Sequence, residues 1–82
     1  MLERRDITHL YDRHAETMLG FFAPRTFDPE ASVDLVAETF ATAFVERGRF
    51  RGRSEASQAA WLYGIARNLL ADWHRRDRKS VV

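Results

Sequence analysis

The chain has 82 residues, a length that suits one small globular domain and is too short for two. Of its residues 45% are apolar and 12% aromatic, which is enough to form a core. It contains no cysteine, which excludes disulfide bonds, thiolate metal sites and a thiol nucleophile. No apolar run approaches the roughly 20 residues that cross a bilayer, and the opening MLERRDITHL lacks the apolar stretch of a secretory signal. We therefore expect a cytoplasmic protein that does not contact a membrane.

The net charge of +1 is the sum of two halves of opposite sign. Residues 1–48 carry five Arg against nine Asp and Glu, a net charge of −4, whereas residues 49–82 carry eight Lys and Arg against three acids, a net charge of +5. Such asymmetry indicates an acidic surface suited to a basic protein and a basic surface suited to nucleic acid. The alternative is a solvated surface whose charges happen to be segregated.

The first helix is predicted from about Asp6 to Phe22, with Asp6 as its N-cap and Pro24 just beyond its end. Its apolar stripe consists of Ile7, Leu10, Tyr11, His14, Met18, Phe21 and Phe22. A histidine on such a stripe is more often a core or boundary residue than a metal ligand. His9 lies about 140° from His14 around the helix, so the two cannot share a metal ion.

The second helix is predicted to open at Asp28-Pro29-Glu30, which supplies an N-cap, a proline at the first helical position and an acid that complements the helix dipole. It should run to about Arg47 and stop at Gly48.

The pattern along this second helix divides it into two faces. The predicted buried stripe consists of Val33, Val36, Ala37, Phe40, Ala43 and Phe44. The opposite face consists of Asp34, Leu35, Glu38, Thr42, Val45 and Glu46. An exposed Leu35 between carboxylates would suit docking onto a basic helical partner, although single exposed apolar residues are common.

The stretch from Arg49 to Ser57 is predicted as a basic loop, with a helix start at Ser54 or Ser57. Phe50 stands between two arginines in this loop. It can stack on unpaired bases while the cations follow the phosphates, or it can simply cap the core beneath the loop. The third helix is predicted from about Gln58 to Arg76, and the tail from Asp77 has no helical period.

The third helix also has two distinct faces. Its predicted core face consists of Leu62, Ile65, Ala66, Leu69 and Trp73. Its outer face combines small residues with Arg and Asn, at Ala60, Gly64, Arg67, Asn68, Ala71 and Arg75. Small residues let a base approach closely, and Arg and Asn bind phosphates and base edges. Trp61 lies at the border and is either a core residue or a stacking platform.

Catalytic patterns do not occur in the sequence. It has no GxSxG, no HExxH, no P-loop and no glycine-rich dinucleotide turn. No strand-like alternation occurs either, so the predicted class is all-α. We expect neither an enzyme nor a site for a cofactor or metal.

Three separated strings carry a family resemblance. They are DLVAETF at 34–40, RFRG at 49–52 and WLYGIARN at 61–68, followed by Asp72 and Arg75-Arg76. In this order they resemble region 2 of bacterial RNA polymerase sigma factors, most closely the extracytoplasmic-function group. The first helix, with LYDRH at 10–14, is similar to the opening segment of that group. The resemblance runs from about Ile7 to Arg76.

The resemblance implies a compact bundle of three main helices, with room for a short fourth. It implies a region 2 domain at residues 1–76 and the frayed start of a linker at 77–82. The second helix would dock on the clamp helices of RNA polymerase, and the matching positions are Asp34, Leu35 and Glu38. An anti-sigma factor is a further partner that the family implies.

The resemblance also implies recognition and melting of the −10 promoter element, with flipped bases of the non-template strand held by the loop and third helix. Asn68 matches an Asn that lines a base pocket in similar proteins. Together with Gly64 and Arg75 from the outer face, the predicted DNA-binding residues are Phe50, Arg51, Arg53, Trp61, Gly64, Arg67, Asn68 and Arg75.

Three departures from the family pattern affect these expectations. Ala37 stands where many relatives have Gln, so one polar contact to the clamp is missing or replaced. The loop at 51–60 varies among relatives and usually sets base preference. The second domain, which reads the −35 element in the family, is not found, so we expect an excised domain or a fragment.

Two alternative functions can be set against this one. The chain could be a helical protein-interaction domain that binds a regulator, with an incidental basic surface. A duplex-binding helix-turn-helix protein fits less well, because about ten residues precede the third helix where that motif has a turn of about 3–4 residues.

Overall fold

The computed structural model describes residues 2–52 and 54–80, and the side chains of these residues except 78–80. Within that part of the chain the fold consists of helices α1 (Arg4–Thr26), α2 (Pro29–Glu46) and α3 (Glu55–Ser80), with a short 3₁₀ helix at Arg47–Arg49. The predicted all-α class is therefore confirmed. No helix in the described residues is long and apolar enough to cross a membrane.

Helix α1 is longer at both ends than the sequence predicted. Its N-cap is Glu3, whose backbone N–H donates to the Asp6 carboxylate over 2.7 Å, so Asp6 lies inside the first turn and is not the cap itself. Pro24 lies within the last turn, and the helix continues to Thr26. Phe27 then ends α1 in the left-handed conformation at φ 53°, where its N–H donates to the Ala23 carbonyl over 3.0 Å.

Helix α2 begins as predicted. The Asp28 carboxylate accepts a hydrogen bond from the Ala31 N–H over 3.1 Å, and Pro29 occupies the first turn. The helix ends at Glu46, and the 3₁₀ helix then turns the chain towards α3.

The buried stripe of α2 differs from the predicted one. Leu35 is only 2% exposed and belongs to the core, so its predicted exposure is wrong, whereas Val33 is 56% exposed. The remaining buried residues of α2 are Ser32, Val36, Thr39, Phe40 and Ala43. Two of these are polar and hydrogen-bonded, since the Thr26 and Ser32 hydroxyls lie 2.8 Å apart and the Thr39 hydroxyl donates to the Leu35 carbonyl over 2.7 Å. Because these hydroxyls are hydrogen-bonded, Ser32 and Thr39 can be buried. The buried stripe of α2 therefore includes Leu35 and leaves Val33 exposed.

The core face of α3 follows the prediction. Leu62 and Ala66 are fully buried, and partly buried neighbours extend the contact along the helix. These neighbours are Ile65, Leu69 and Trp73. Helix α3 passes the expected end at Arg76 and continues to Ser80, so the segment from Asp77 begins as helix and not as an irregular tail.

Aromatic contacts join α1 to α3. Tyr63 of α3 packs edge-on against Phe21, with ring centroids 5.6 Å apart, and against the half-buried His14 at 6.3 Å. Burial raises the pKa of the Tyr63 hydroxyl. His14 is thus a boundary residue, as predicted. An ion pair between Arg13 and Glu55 connects the same two helices at the surface.

Candidate nucleic-acid interface

The outer face of α3 is exposed, as its periodicity predicted. Its members Ala60, Arg67, Asn68, Ala71 and Arg75 are exposed, and Gly64 is partly buried. A Cβ built on Gly64 would meet no atom of another element within 4 Å, so the surface in front of this glycine is open. The small residues therefore leave a depression between the longer polar side chains.

This depression is a shallow cavity of about 450 Å³ that opens to solvent. Its lining residues are Glu46, Ala60, Trp61, Gly64, Ile65, Arg67 and Asn68. Four of the residues predicted to bind DNA therefore lie together, with an indole, a guanidinium and a carboxamide around an open backbone position. We call it the α3 pocket.

Of the two roles that the sequence left open for Phe50, the structure favours the cap of the core over base stacking. Its side chain is only 6% exposed and packs against Trp61, with ring centroids 5.3 Å apart and planes inclined by 47°. A ring buried in this way cannot receive a base, so stacking by Phe50 is not supported. Phe50 instead supports Trp61 from the core side, while Trp61 is half-buried and lines the α3 pocket.

The loop that closes over Phe50 requires a glycine. A Cβ at Gly52 would lie 2.6 Å from Cζ of Phe50 and 2.8 Å from Cβ of Ser57, closer than real contacts allow. Ser54 then starts α3, because its hydroxyl accepts from the Ser57 N–H over 3.1 Å and its own N–H donates to the Ser57 hydroxyl over 3.2 Å. Of the two predicted helix starts, Ser54 is the observed one.

The predicted arginines differ in their surroundings. Arg67 is exposed beside the α3 pocket, and no acid among the described residues pairs with it. Arg51 donates to the Gly48 carbonyl over 3.0 Å, which holds it near the loop. Arg75 is paired with Asp72 on its own helix, so part of its charge is compensated. Arg53 lies outside the described residues.

The predicted polymerase-binding residues lie on a separate surface. Asp34 and Glu38 are exposed on α2, whereas Leu35 between them faces the core. Asp34 and Glu38 line a shallow cavity between α2 and α3, together with Trp73 and Arg76. The acidic and basic surfaces are thus formed by the exposed faces of different helices.

Comparison with known proteins identifies the family of this fold. The family described as Sigma-70 region 2 matches residues 10–80. The chain belongs to the sigma-70 region 2 family. This agrees with the resemblance drawn from its three sequence strings.

Two relatives of this sigma-70 region 2 chain are themselves sigma factors. It is 37% identical over 79 residues to the RNA polymerase sigma factor YlaC of Bacillus subtilis, covering 96% of this chain and 44% of that protein. It is also 37% identical over 71 residues to the ECF RNA polymerase sigma factor BldN of Streptomyces coelicolor, covering 84% of this chain and 26% of that protein. The chain thus spans less than half the length of these relatives. No solved structure matches it.

Sequence reasoning missed two members of the α3 pocket. Ile65 was predicted only as a core residue and Glu46 only as part of the polar face of α2, yet both line the pocket. Of the two, Glu46 carries a charge. Its position at the end of α2 was the available signal, because the last turn of α2 leads directly into the loop that carries Phe50. How α2 and α3 cross could not be derived from helical periodicity alone.

Proposed function

We propose that this sigma-70 region 2 chain acts in transcription initiation, by docking on RNA polymerase and recognising the −10 promoter element. Its family membership and two relatives named as RNA polymerase sigma factors support this role. The observation that carries it is the α3 pocket, where Trp61, Gly64, Arg67 and Asn68 lie together on an exposed helix face.

The chemistry of the α3 pocket suits an unpaired base. The Asn68 carboxamide both donates and accepts hydrogen bonds and so can read a base edge, and Arg67 can bind the adjacent phosphate. Gly64 lets the nucleotide approach the helix backbone, and Trp61 offers an aromatic surface beside it. Each stacked base contributes about 1–3 kcal/mol, which favours strand separation when the bases are held better than in duplex.

The other residues predicted to bind DNA contribute to different extents in this proposal. Arg51 and Arg67 track phosphates, and Arg75 contributes less because Asp72 compensates it. Phe50 acts indirectly by supporting Trp61. The contact predicted for Arg53 remains a prediction.

Polymerase docking is assigned to the acidic face of α2. Asp34 and Glu38 are exposed there and supply negative charge for the clamp helices, whereas Leu35 contributes to stability and not to contact. The docking face and the DNA face lie on different helices, so one domain can contact polymerase and promoter at the same time.

An apolar groove beside the acidic face supports protein docking on this side of the molecule. It is a cavity of about 320 Å³ between α1 and α2. Its lining residues are Tyr11, Ala15, Glu16, Leu19, Val33, Val36 and Ala37. Tyr11 is 49% and Val33 56% exposed, so the groove presents neighbouring apolar side chains to solvent. Contiguous exposed apolar surface of this kind is typical of interaction sites. The groove therefore favours binding of a protein partner between α1 and α2. Such a partner could be a regulator, for example an anti-sigma factor.

The test of DNA recognition compares single strands with duplex. The non-template strand of a −10 element should bind more tightly than duplex of the same sequence in fluorescence anisotropy. Asn68→Ala should reduce the preference for one base, with Thr17→Ala on the exposed side of α1 as the control. Equal binding of the wild-type chain to every single-stranded sequence would remove base readout from the proposal.

The test of polymerase docking reverses charge on α2. The double variant Asp34→Lys, Glu38→Lys should weaken binding to isolated clamp helices by about tenfold or more, without loss of helix content by circular dichroism. Asp12→Lys makes the same charge change as the single variant Asp34→Lys, at an exposed position of α1 outside the apolar groove, and should have a smaller effect than that variant. An equal loss from both variants would argue for general electrostatics and against a specific surface.

A further inference from the structure

Glu46 introduces an acid into a surface that is otherwise neutral or basic. It is the last residue of α2, is half-buried, and lines the α3 pocket together with Arg67 and Asn68. A carboxylate in a DNA-binding pocket repels phosphate, which costs affinity unless the group performs a task there.

The neighbouring cations do not neutralise this carboxylate. Within residues 2–52 and 54–77 no side chain forms a hydrogen bond or ion pair with Glu46. The adjacent Arg47 is directed away, since its guanidinium donates to the Phe44 carbonyl over 2.6 Å and lies 4.0 Å above the Phe44 ring. The acceptor oxygens of Glu46 are thus not engaged by another side chain within these residues.

We propose that Glu46 is a specificity-determining residue that selects a flipped base carrying an exocyclic amino group on its pairing edge, cytosine, adenine or guanine, over thymine. This inference rests on the proposed function, because it requires a base in the α3 pocket. An ionised carboxylate only accepts hydrogen bonds, and the amino groups of these three bases donate them. Thymine has a single donor at the same edge, its N3–H, and the carbonyl oxygens on both sides of this group repel an approaching carboxylate.

Asn68 complements this selection. Its carboxamide can donate to the ring nitrogen that lies next to the amino group in cytosine and adenine, or accept from the N1–H of guanine, so Glu46 and Asn68 can contact two neighbouring groups of the same edge. The negative charge of Glu46 also keeps a backbone phosphate out of the pocket and leaves the phosphate to Arg67 outside it. Glu46 and Arg67 thereby orient the nucleotide with its base inward.

The experiment measures competition between four single-stranded −10 oligonucleotides that differ only at the base read by the pocket, using the 82-residue chain. That base is identified as the one whose preference Asn68→Ala reduces. The wild-type chain should prefer cytosine, adenine or guanine over thymine by about tenfold. Glu46→Gln and Glu46→Ala should both reduce this ratio to about threefold or less, while overall affinity rises because a negative charge is lost. Asp12→Asn removes one exposed charge from α1 and should leave the ratio unchanged.

The outcomes separate this proposal from the function on which it depends. A wild-type preference that survives both Glu46 substitutions, or a preference for thymine, would overturn the role of Glu46 and leave promoter recognition standing. A wild-type chain without any base preference would overturn both. Circular dichroism of each variant checks that the helices are intact.

Discussion

The exposed faces of α2 and α3 are built on the core in different ways. On α2 the acidic residues Asp34 and Glu38 are exposed and do not contribute to the core. The core is filled instead by their neighbours Leu35 and Thr39, which are fully or almost fully buried. On α3 the half-buried Trp61 belongs to the interface and to the core at once, through its contact with Phe50. If the proposed function is correct, substitutions of Asp34 and Glu38 should therefore change polymerase binding alone, whereas those around the α3 pocket should change stability and DNA binding together.

The largest effect is expected at Phe50, which connects the α3 pocket to the core. Phe50→Ala removes a buried ring and should destabilise the chain by about 3–5 kcal/mol in chemical denaturation. Val45→Ala, at a position that is 78% exposed, should change stability by less than about 0.5 kcal/mol. If Phe50→Ala lowered DNA affinity without changing the denaturation midpoint, Phe50 would be a surface stacking residue after all.

A somewhat smaller effect on stability is expected on α2. The sequence predicted Val33 as buried and Leu35 as exposed, and the structure shows the opposite. Leu35→Ala should cost about 2–5 kcal/mol because it leaves a cavity in the core. Val33→Ala should lie within about 0.5 kcal/mol of the wild type because the side chain is mostly exposed. If Val33→Ala lowered the melting temperature more than Leu35→Ala, the buried stripe predicted from apolar spacing alone would be the correct one.

The smallest effect is expected at Gly64 and has opposite signs for stability and binding. Gly64→Ala should stabilise α3 by about 1 kcal/mol, since the added methyl group meets no other element. The same methyl group narrows the α3 pocket and should lower affinity for single-stranded DNA by about fivefold, the equivalent of about 1 kcal/mol of stacking.

Gly20→Ala in α1 provides the control for this pair of effects. Its Cβ also meets nothing within 4 Å, so it should stabilise the chain in the same way and leave DNA affinity unchanged. If Gly64→Ala behaved like Gly20→Ala in the binding assay, close approach to the backbone at Gly64 would not be needed.

Local chemistry predicted the starts of α2 and α3 and the outer face of α3, but not the start of α1, where Glu3 and not Asp6 is the N-cap. Asp28-Pro29 begins α2, and Ser54 begins α3, because each cap depends only on residues within one turn. Pro24 misled the prediction for α1, since a proline in the last turn removes one hydrogen bond without ending the helix. The face that presents Arg67 and Asn68 followed from helical periodicity, which is also a local property.

By itself the sequence determined the all-α class, the separation of charge and the grouping of Gly64, Arg67 and Asn68 on one face. Tertiary structure decided the burial of Leu35 and Phe50 and the position of Glu46 in the lining of the α3 pocket. The physical reason is that burial depends on where another element packs. Periodicity orders side chains around their own helix, but hydrogen-bonded hydroxyls such as Thr39 can enter the core, and only the crossing of α2 and α3 brings a carboxylate to the α3 pocket.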